Sequence, residues 1–381
     1  MVTDTLERPA AADALLTIDR DILFGAIRAI SQVVEARNTI PILSNLLFDT
    51  KGERLRIAGT DLDILFEVQI ECDCAGVEPF TVEASRLTAA VDTLRPGAIV
   101  FERENGWVTL KQKASRRKLP IIPAEDFPTS ALGTISTTFA MDASELLWIF
   151  NSVQSSISTE AARYYLCGIF FDVEGGDLVA AATDGNRMIQ ARKPCPVGAE
   201  GMAGFTLPTK AVRLLRSLLD NAEDGQQVEI NVTDRKFEIR QGSFRLDSKL
   251  IDGAYPDYRR VIPWGNDKRL KVHSAEMIRG LRAAAAAVDG RARGVRINMS
   301  KSECMISGFN ADGSRSIEPL EADYDSDEFQ IGINAQYAQQ TVAAFGEAAQ
   351  MEIDMLDATG AILLRSPDRP GLLAVIMPMR A

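Results

Sequence analysis

The sequence predicts an α+β protein of three repeated domains, each with two helices packed on antiparallel sheet. Three observations predict it. A strand-then-helix signal opens each third of the chain, at Leu16–Asp19 before Ile22–Ile30, at Phe139–Asp142 before Leu146–Val153 and at Leu270–His273 before Met277–Val288. A second strand-helix signal starts at Phe80, Phe205 and Phe329, spaced at close to one third of the 381 residues. After each of these comes a hairpin pattern in which apolar and polar residues alternate, at Ile99–Lys111, Val228–Arg240 and Met351–Arg365. The reversals fall at Asn105-Gly106, Asp234-Arg235 and Thr359-Gly360, as half-buried antiparallel strands require.

Between the two helices of each copy the pattern gives a further strand pair, Leu43–Gln69, Tyr165–Arg192 and Val295–Glu318, turning near Lys51-Gly52, Gly175-Gly176 and Lys301-Ser302. The second strand of the pair runs into Gly59-Thr-Asp-Leu-Asp63 in the first copy and Ala182-Thr-Asp-Gly-Asn186 in the second, while Phe309-Asn-Ala-Asp-Gly313 is a degenerate third. The expected boundaries are an N-terminal arm at 1–15, then domains at 16–133, 134–263 and 264–381. Two similar stretches read as the joints: Arg117–Pro128, and Ser248–Pro263, reading S-K-L-I-D-G-A-Y-P-D-Y-R-R-V-I-P. Asp252-Gly253 and Tyr255-Pro256 are turn formers, because Gly permits positive φ and Pro fixes φ. Tyr258, Arg259 and Arg260 are then expected on an extended, partly exposed segment.

Composition narrows the function. Hydrophobic residues make up 46% and charged residues 25% of a chain of net charge −11, which reads as globular and argues against a surface that grips nucleic acid all over. No apolar run is long enough to span a bilayer, and Met1–Leu15 lacks a secretory core, so a cytoplasmic, non-membrane protein is expected. Five scattered cysteines fit reduced thiols. A nucleophile-and-base site needs partners that one histidine, His273, does not supply. Cys72 and Cys74 lack further zinc ligands nearby. No phosphate-binding glycine loop occurs. The expectation is therefore no catalytic residue, no metal and no cofactor. Asp61, Asp63 and Asp184 can be read as carboxylates of a two-metal nuclease, but Asp at a turn after a strand is better explained by turn stabilisation.

The cations are patterned. Lys210, Arg213 and Arg216 form a stripe on the fourth helix. Arg20 and Arg28 lie on the first helix, Arg86 and Arg95 around the second, Arg279 and Arg282 on the fifth. Arg37 precedes Thr39-Ile-Pro41, and Arg291, Arg293 and Arg296 cluster before a third-copy strand. Such helix faces would hold phosphates without reading bases.

Seven segments together resemble the bacterial DNA polymerase III β subunit family, the sliding clamps. They are Thr39–Asn45, Gly59–Leu62, Pro123–Pro128, Arg163–Gly168, Ala182–Gly185, Ser248–Pro263 and Met377–Arg380. The resemblance runs in order from about Leu16 to the end. It implies the DNA-clamp fold, each chain forming half of a closed homodimeric ring around double-stranded DNA, bound without regard to sequence. It implies a non-catalytic processivity factor whose partners are the DNA polymerase III α subunit, the clamp loader, and other polymerases and repair proteins bearing clamp-binding peptides. The implied partner-peptide residues are Thr183, Gly185, Asn186, Arg187, Met188, Pro256, Val261, Val375, Met377, Pro378, Met379 and Arg380. The implied DNA contacts are Arg37, Arg163, Tyr164, Tyr165, Asn334 and Tyr337, to which the Lys210, Arg213 and Arg216 stripe is added. The family often has His where Asn186 stands and a larger apolar last residue where Ala381 stands. These departures and the arm define the alternative, an auxiliary clamp with altered partners; a metal-dependent DNA-processing enzyme is the alternative from another class.

Overall fold

The computed structural model describes residues 15–35, 38–51, 54–72, 74, 78–129, 131–220, 222–223, 225–290 and 294–380. Arg37, Arg291, Arg293, Ala381 and the first fourteen residues of the expected arm lie outside them. Six α-helices occur among the described residues: α1 (Arg20–Ile30), α2 (Ala84–Asp92), α3 (Ala143–Val153), α4 (Thr209–Leu219), α5 (Ser274–Ala285) and α6 (Ala335–Ala343). They pack in sequence-adjacent pairs, one pair per copy.

Each helix buries one stripe. In α1 this is Leu23, Ala26, Ile27 and Ile30, the i, i+3, i+4, i+7 face of a helix. Asp19 caps α1 by accepting from the Asp21 and Ile22 amides. In α4 the buried set is Ala211, Val212, Leu214, Leu215 and Leu219, which leaves Arg213 and Arg216 on the opposite side. His273 precedes α5 without a capping hydrogen bond, as its side chain suggests.

The strands form two compact units. The first takes in residues 15–135 together with Val228–Lys249. Its sheet runs, in spatial order, Leu16–Asp19, Ala98–Glu104, Trp107–Gln112, Ser115–Pro123, Phe80–Glu83, Asn45–Lys51, Arg54–Thr60, Ile64–Glu71, Phe244–Lys249, Lys236–Gln241, Gln227–Val232. The second takes in Ser136–Gln227 and 250–380. Its larger sheet runs Phe205–Pro208, Gly168–Glu174, Asp177–Thr183, Arg187–Pro194, Leu372–Ile376, Ile362–Arg365, Gln350–Met355, Lys268–His273, Ala322–Tyr324. Its smaller sheet runs Arg315–Pro319, Cys304–Phe309, Gly294–Met299, Phe329–Asn334.

Two expectations change here. The strand pair between the helices of each copy is a triplet, because the chain reverses again at the Asp turn: Ile64–Glu71, Arg187–Pro194 and Arg315–Pro319 are the third strands. The third strand of copy one is zipped to the Phe244–Lys249 strand of copy two, and that of copy two to the Leu372–Ile376 strand of copy three. This shared edge is why the copy-two hairpin groups with the first unit.

The Tyr258–Arg260 segment is also not extended. Asp257 caps a 3₁₀ turn at Tyr258–Val261, and Tyr258 is buried against Val179, Ala181, Phe170 and Tyr255. A buried aromatic ring offsets the entropy that an exposed linker would have kept. Arg259 is fixed by Asp172 at 2.7 Å and Glu174 at 2.8 Å.

Candidate partner pocket and basic helix faces

The Asp turns are the local device from which the site is built. In Thr183-Asp-Gly-Asn-Arg187 the Thr183 hydroxyl accepts from the Gly185 amide (3.1 Å) and donates to the Arg187 carbonyl (2.7 Å). Asp184 accepts from the amides of Asn186 (2.9 Å) and Arg187 (3.1 Å). The Met377 amide then donates to the Asn186 carbonyl at 2.8 Å, tying the tail to the turn. In Thr60-Asp-Leu-Asp-Ile64 the same bonds recur: Thr60 with Leu62 (3.0 Å) and Ile64 (2.8 Å), Asp61 with Asp63 (3.0 Å) and Ile64 (2.7 Å). Lys249 stands in the place of Met377, its amide on the Asp63 carbonyl at 2.8 Å. Asp61 and Asp184 each hold backbone amides on one carboxylate oxygen, Asp184 takes Arg187 Nε on the other, and Asp63 pairs with Lys249 at 2.9 Å. Among the described residues no group of three or more His, Cys, Asp or Glu is gathered as a metal site.

The tips of the two turns differ. Leu62 and Gly185 both have positive φ, 77° and 89°. At Gly185 a β-carbon would lie 2.4 Å from Nη1 of Arg163, a contact that the flexible arginine can relieve by moving, so it is the positive φ that favours glycine there. Leu62 stands 48% exposed.

The turn, the 3₁₀ segment and the tail gather the predicted partner residues. Met188 and Val375 are adjacent across paired strands and are buried with Leu363 beneath Ile262 and Ala361. Both side chains are buried, so neither is itself presented at the surface. The surface is offered by Val261 (48% exposed) and Met377 (43% exposed), with Pro256 and Arg380 exposed and Pro378 and Met379 half-buried. The Met379 amide bonds to the Gly332 carbonyl at 2.9 Å, so the tail is tied to the body at a second point.

Arg187 is buried and multiply held. Its Nε donates to Asp184 at 3.1 Å, its Nη2 donates to the Ser155 carbonyl, and its guanidinium lies 4.4 Å above the Tyr337 ring. Tyr337, grouped with the DNA contacts by resemblance, is thus set against the Asp184 turn. Asn334 is committed locally, accepting from the Tyr337 amide (3.1 Å) as the cap of α6. A cleft of about 600 Å³ brings Arg213 and Tyr337 to the same opening as Asn186 and Arg187. Residue types alone give no signal of that convergence, since Tyr337 and Arg187 are far apart in sequence.

The remaining basic residues lie as the pattern predicts, but many are answered by acids. Arg86 pairs with Glu83 at 2.7 Å, and Arg279 with Glu276 at 2.8 Å. Arg28, Arg213 and Arg282 are exposed, and none has an ion-pair partner among the described residues. Lys210 and Arg216 are half-buried on α4, and Arg216 donates to Asn151 at 2.7 Å. Tyr164 is 55% exposed, in edge contact with Tyr165.

Arg163 is gripped by Glu160 through two contacts of 2.8 Å. The hydrogen bond from Arg163 holds the Glu160 carboxyl below the usual carboxylate range. Replacing Glu160 by Gln should release that guanidinium. If Arg163 touches phosphate, duplex affinity at low salt will rise several-fold, and the log–log salt slope will steepen by about 0.9 per phosphate gained. Binding isotherms over a salt series measure both; an unchanged slope would remove Arg163 from the contact set.

The fold is three copies of two helices on antiparallel sheet, with basic residues on the helices and a part-exposed apolar tail beside the second Asp turn; no helix among the described residues is long and apolar enough to cross a membrane. Family models for the DNA polymerase III beta subunit match along the chain, the N-terminal domain at residues 15–131, the central domain at 140–257 and the C-terminal domain at 259–380. The beta sliding clamp of Caulobacter vibrioides is 35% identical over 374 residues, covering 96% of this chain and 99% of its own. That of Escherichia coli K12 is 28% identical over 370 residues, covering 96% and 99%. Among solved structures, the Bartonella birtlesii sliding clamp bound to griselimycin superposes with a TM-score of 0.92 at 32% identity, covering 96% of this chain and 99% of that one. The chain belongs to the family of bacterial DNA polymerase III β subunits, the β sliding clamps.

Proposed function

We propose that the chain works as a sliding clamp without catalysis of its own. Two copies close head to tail around duplex DNA, and the tail site tethers a polymerase. The observation that carries the reading is the way third strands are handed on. Copy one gives Ile64–Glu71 to copy two, and copy two gives Arg187–Pro194 to copy three. Among the described residues the third strand of copy three, Arg315–Pro319, is an edge strand paired only to Cys304–Phe309. Ser115–Pro120 of copy one, the counterpart of the receiving strands, is paired among the described residues along one side only, to Trp107–Gln112. A second copy of the chain completes the series by joining these edges, which also removes two exposed strand edges. The charges agree: Arg116, Arg117 and Lys118 on one edge, Glu318 and nearby Glu321 at the other.

An acidic body with basic helix faces suits a ring that holds DNA by enclosure and slides on phosphates. Exposed Met377 and Val261 beside a rigid turn suit short apolar peptides of several sequences. The expected partners are therefore the polymerase III α subunit, the clamp loader and repair proteins with such peptides, in the cytoplasm.

Retention at raised salt on a nicked circle, loaded by the cognate loader, tests enclosure against the same DNA linearised. Retention on the circle alone is expected. Ile317→Asp, a charge placed on an exposed edge residue, should reduce the sedimenting mass to that of one chain and erase the circle's advantage. Equal loss from circle and linear DNA in the unaltered protein would leave only phosphate contact and sink the ring.

A further inference from the structure

The outer face of the larger sheet in the second unit carries two neighbouring rows of side chains. Strand register sets Met188, Val375 and Leu363 side by side across three strands. Two residues along the same strands stand Gln190, Leu373 and Arg365, with Glu352 beyond them. Side chains two apart on a strand share a face, so both rows point the same way. The first row is the buried floor of the partner site. The second row floors a groove of about 430 Å³, with Trp264 at its rim.

Groove and site are continuous. Ile262 and Leu373 line the groove and also pack against the Met188, Leu363 and Val375 cluster. Trp264 stands just beyond the 3₁₀ turn, after Ile262 and Pro263, and is 70% exposed. Its ring has no aromatic or cation contact among the described residues. A tryptophan left this open beside an apolar site is an anchor surface in search of a partner group.

The charged groups of the groove are already answered. Arg365 pairs with Asp354 at 2.5 Å, Arg192 with Glu174 at 2.5 Å, and Glu352 with Arg269 at 3.2 Å. The groove thus favours an uncharged occupant, because a charged one would have to break a pair or be desolvated alone.

We propose that this groove is an extension of the partner site. It takes the residue flanking the apolar anchor of the bound peptide, and it selects a large aromatic or aliphatic side chain that packs against the Trp264 ring. The inference rests on the reading of the turn and tail as the partner site.

The probe is a polymerase-derived clamp-binding peptide, compared by calorimetry with versions carrying one added Phe on either flank. On the unaltered protein the added Phe on one flank should tighten binding roughly fivefold to twentyfold, the scale of one aromatic pair with its burial. Trp264→Ala should erase that gain and leave the short peptide's affinity unchanged, while Trp264→Phe should keep most of it. A short peptide that binds while neither added Phe helps, or helps Trp264→Ala equally, overturns the groove alone. Failure of the short peptide to bind the unaltered protein would overturn the partner-site reading, and the groove with it.

Discussion

Arg245→Ala is expected to destabilise the first unit by about 3–5 kcal/mol, the cost of stripping the partner from buried charges. Three carboxylates, Glu67, Glu238 and Asp247, lie within 2% of full burial where the copy-one third strand meets the copy-two hairpin. Arg245 reaches all three: Glu238 at 2.5 Å, Asp247 at 2.6 Å and Glu67 at 3.5 Å. The arrangement follows from register, since Arg245 faces Glu67 across one strand boundary and Asp247 faces Glu238 across the next. Without Arg245, Arg56 still serves Glu67 and Arg240 still serves Glu238, but Asp247 has no other ion-pair partner among the described residues. Urea unfolding followed by a probe in the first unit would measure the loss; a cost under about 1 kcal/mol would show that water or rearrangement replaces the guanidinium.

The same network gives a pH signature. Burial pushes the Asp247 carboxyl up, to about 6, against the pull of Arg245. An acid that holds its proton more tightly when folded contributes stability at low pH and loses it as pH rises through its folded value. The window is therefore about pH 4 to 6. Asp247→Asn should be more stable than the unaltered protein at pH 8 and indistinguishable near pH 4, within a ceiling of about 3 kcal/mol. Melting curves across that range decide it, and a gain that is larger at pH 4 would reverse the sign assigned to Asp247.

Ending the chain at Ile376 is expected to abolish peptide binding, by at least a hundredfold, while the molecule stays folded and dimeric. The deletion removes exposed Met377 and the amide that ties the tail to Asn186. It leaves the Leu372–Ile376 strand in its sheet, paired with Arg187–Pro194. Loss of buried apolar contact with a peptide accounts for a penalty of that size. Calorimetry gives the affinity and sedimentation the assembly state. Unchanged affinity would place the site elsewhere, and a monomeric product would show that the tail serves assembly.

The threefold plan was legible because each copy carries its own local periodicity: the apolar spacing of α1 and α4, and the alternation around Asn105-Gly106. The third strands were not, because Arg187–Pro194 and Arg315–Pro319 read as continuations of the strands before them until the Asp turn is recognised as a full reversal. Pairing between copies was also hidden, since strand partners distant in sequence leave no period to read. The Glu67, Glu238 and Asp247 network hid for a related reason: alternating charges on strands read as a solvated face, and only the stacking of two such faces buries them. Tyr258 looked exposed because its neighbours Arg259 and Arg260 are charged, yet Asp172 and Glu174 neutralise Arg259 on the surface while the ring goes inward. In the partner site the turn and tail were readable as residues, whereas Trp264 and the contact of Tyr337 with Arg187 depend on juxtaposition.

The repeated Asp turn has a consequence for traffic on the ring. Its hydrogen bonds hold the backbone the same way in copies one and two, so the tip residues are free to differ at little cost to folding. At one tip Gly185 and Asn186 sit beside Met377; at the other Leu62 and Asp63 sit beside Lys249, closed by an ion pair. The third copy uses a different set of bonds, through Asn310 and Ser314. On the proposed reading of the turn and tail as the partner site, one chain offers one berth and a two-chain ring two. Enzymes sharing such a ring would queue for them, and the rate at which one departs would set how soon the next begins work.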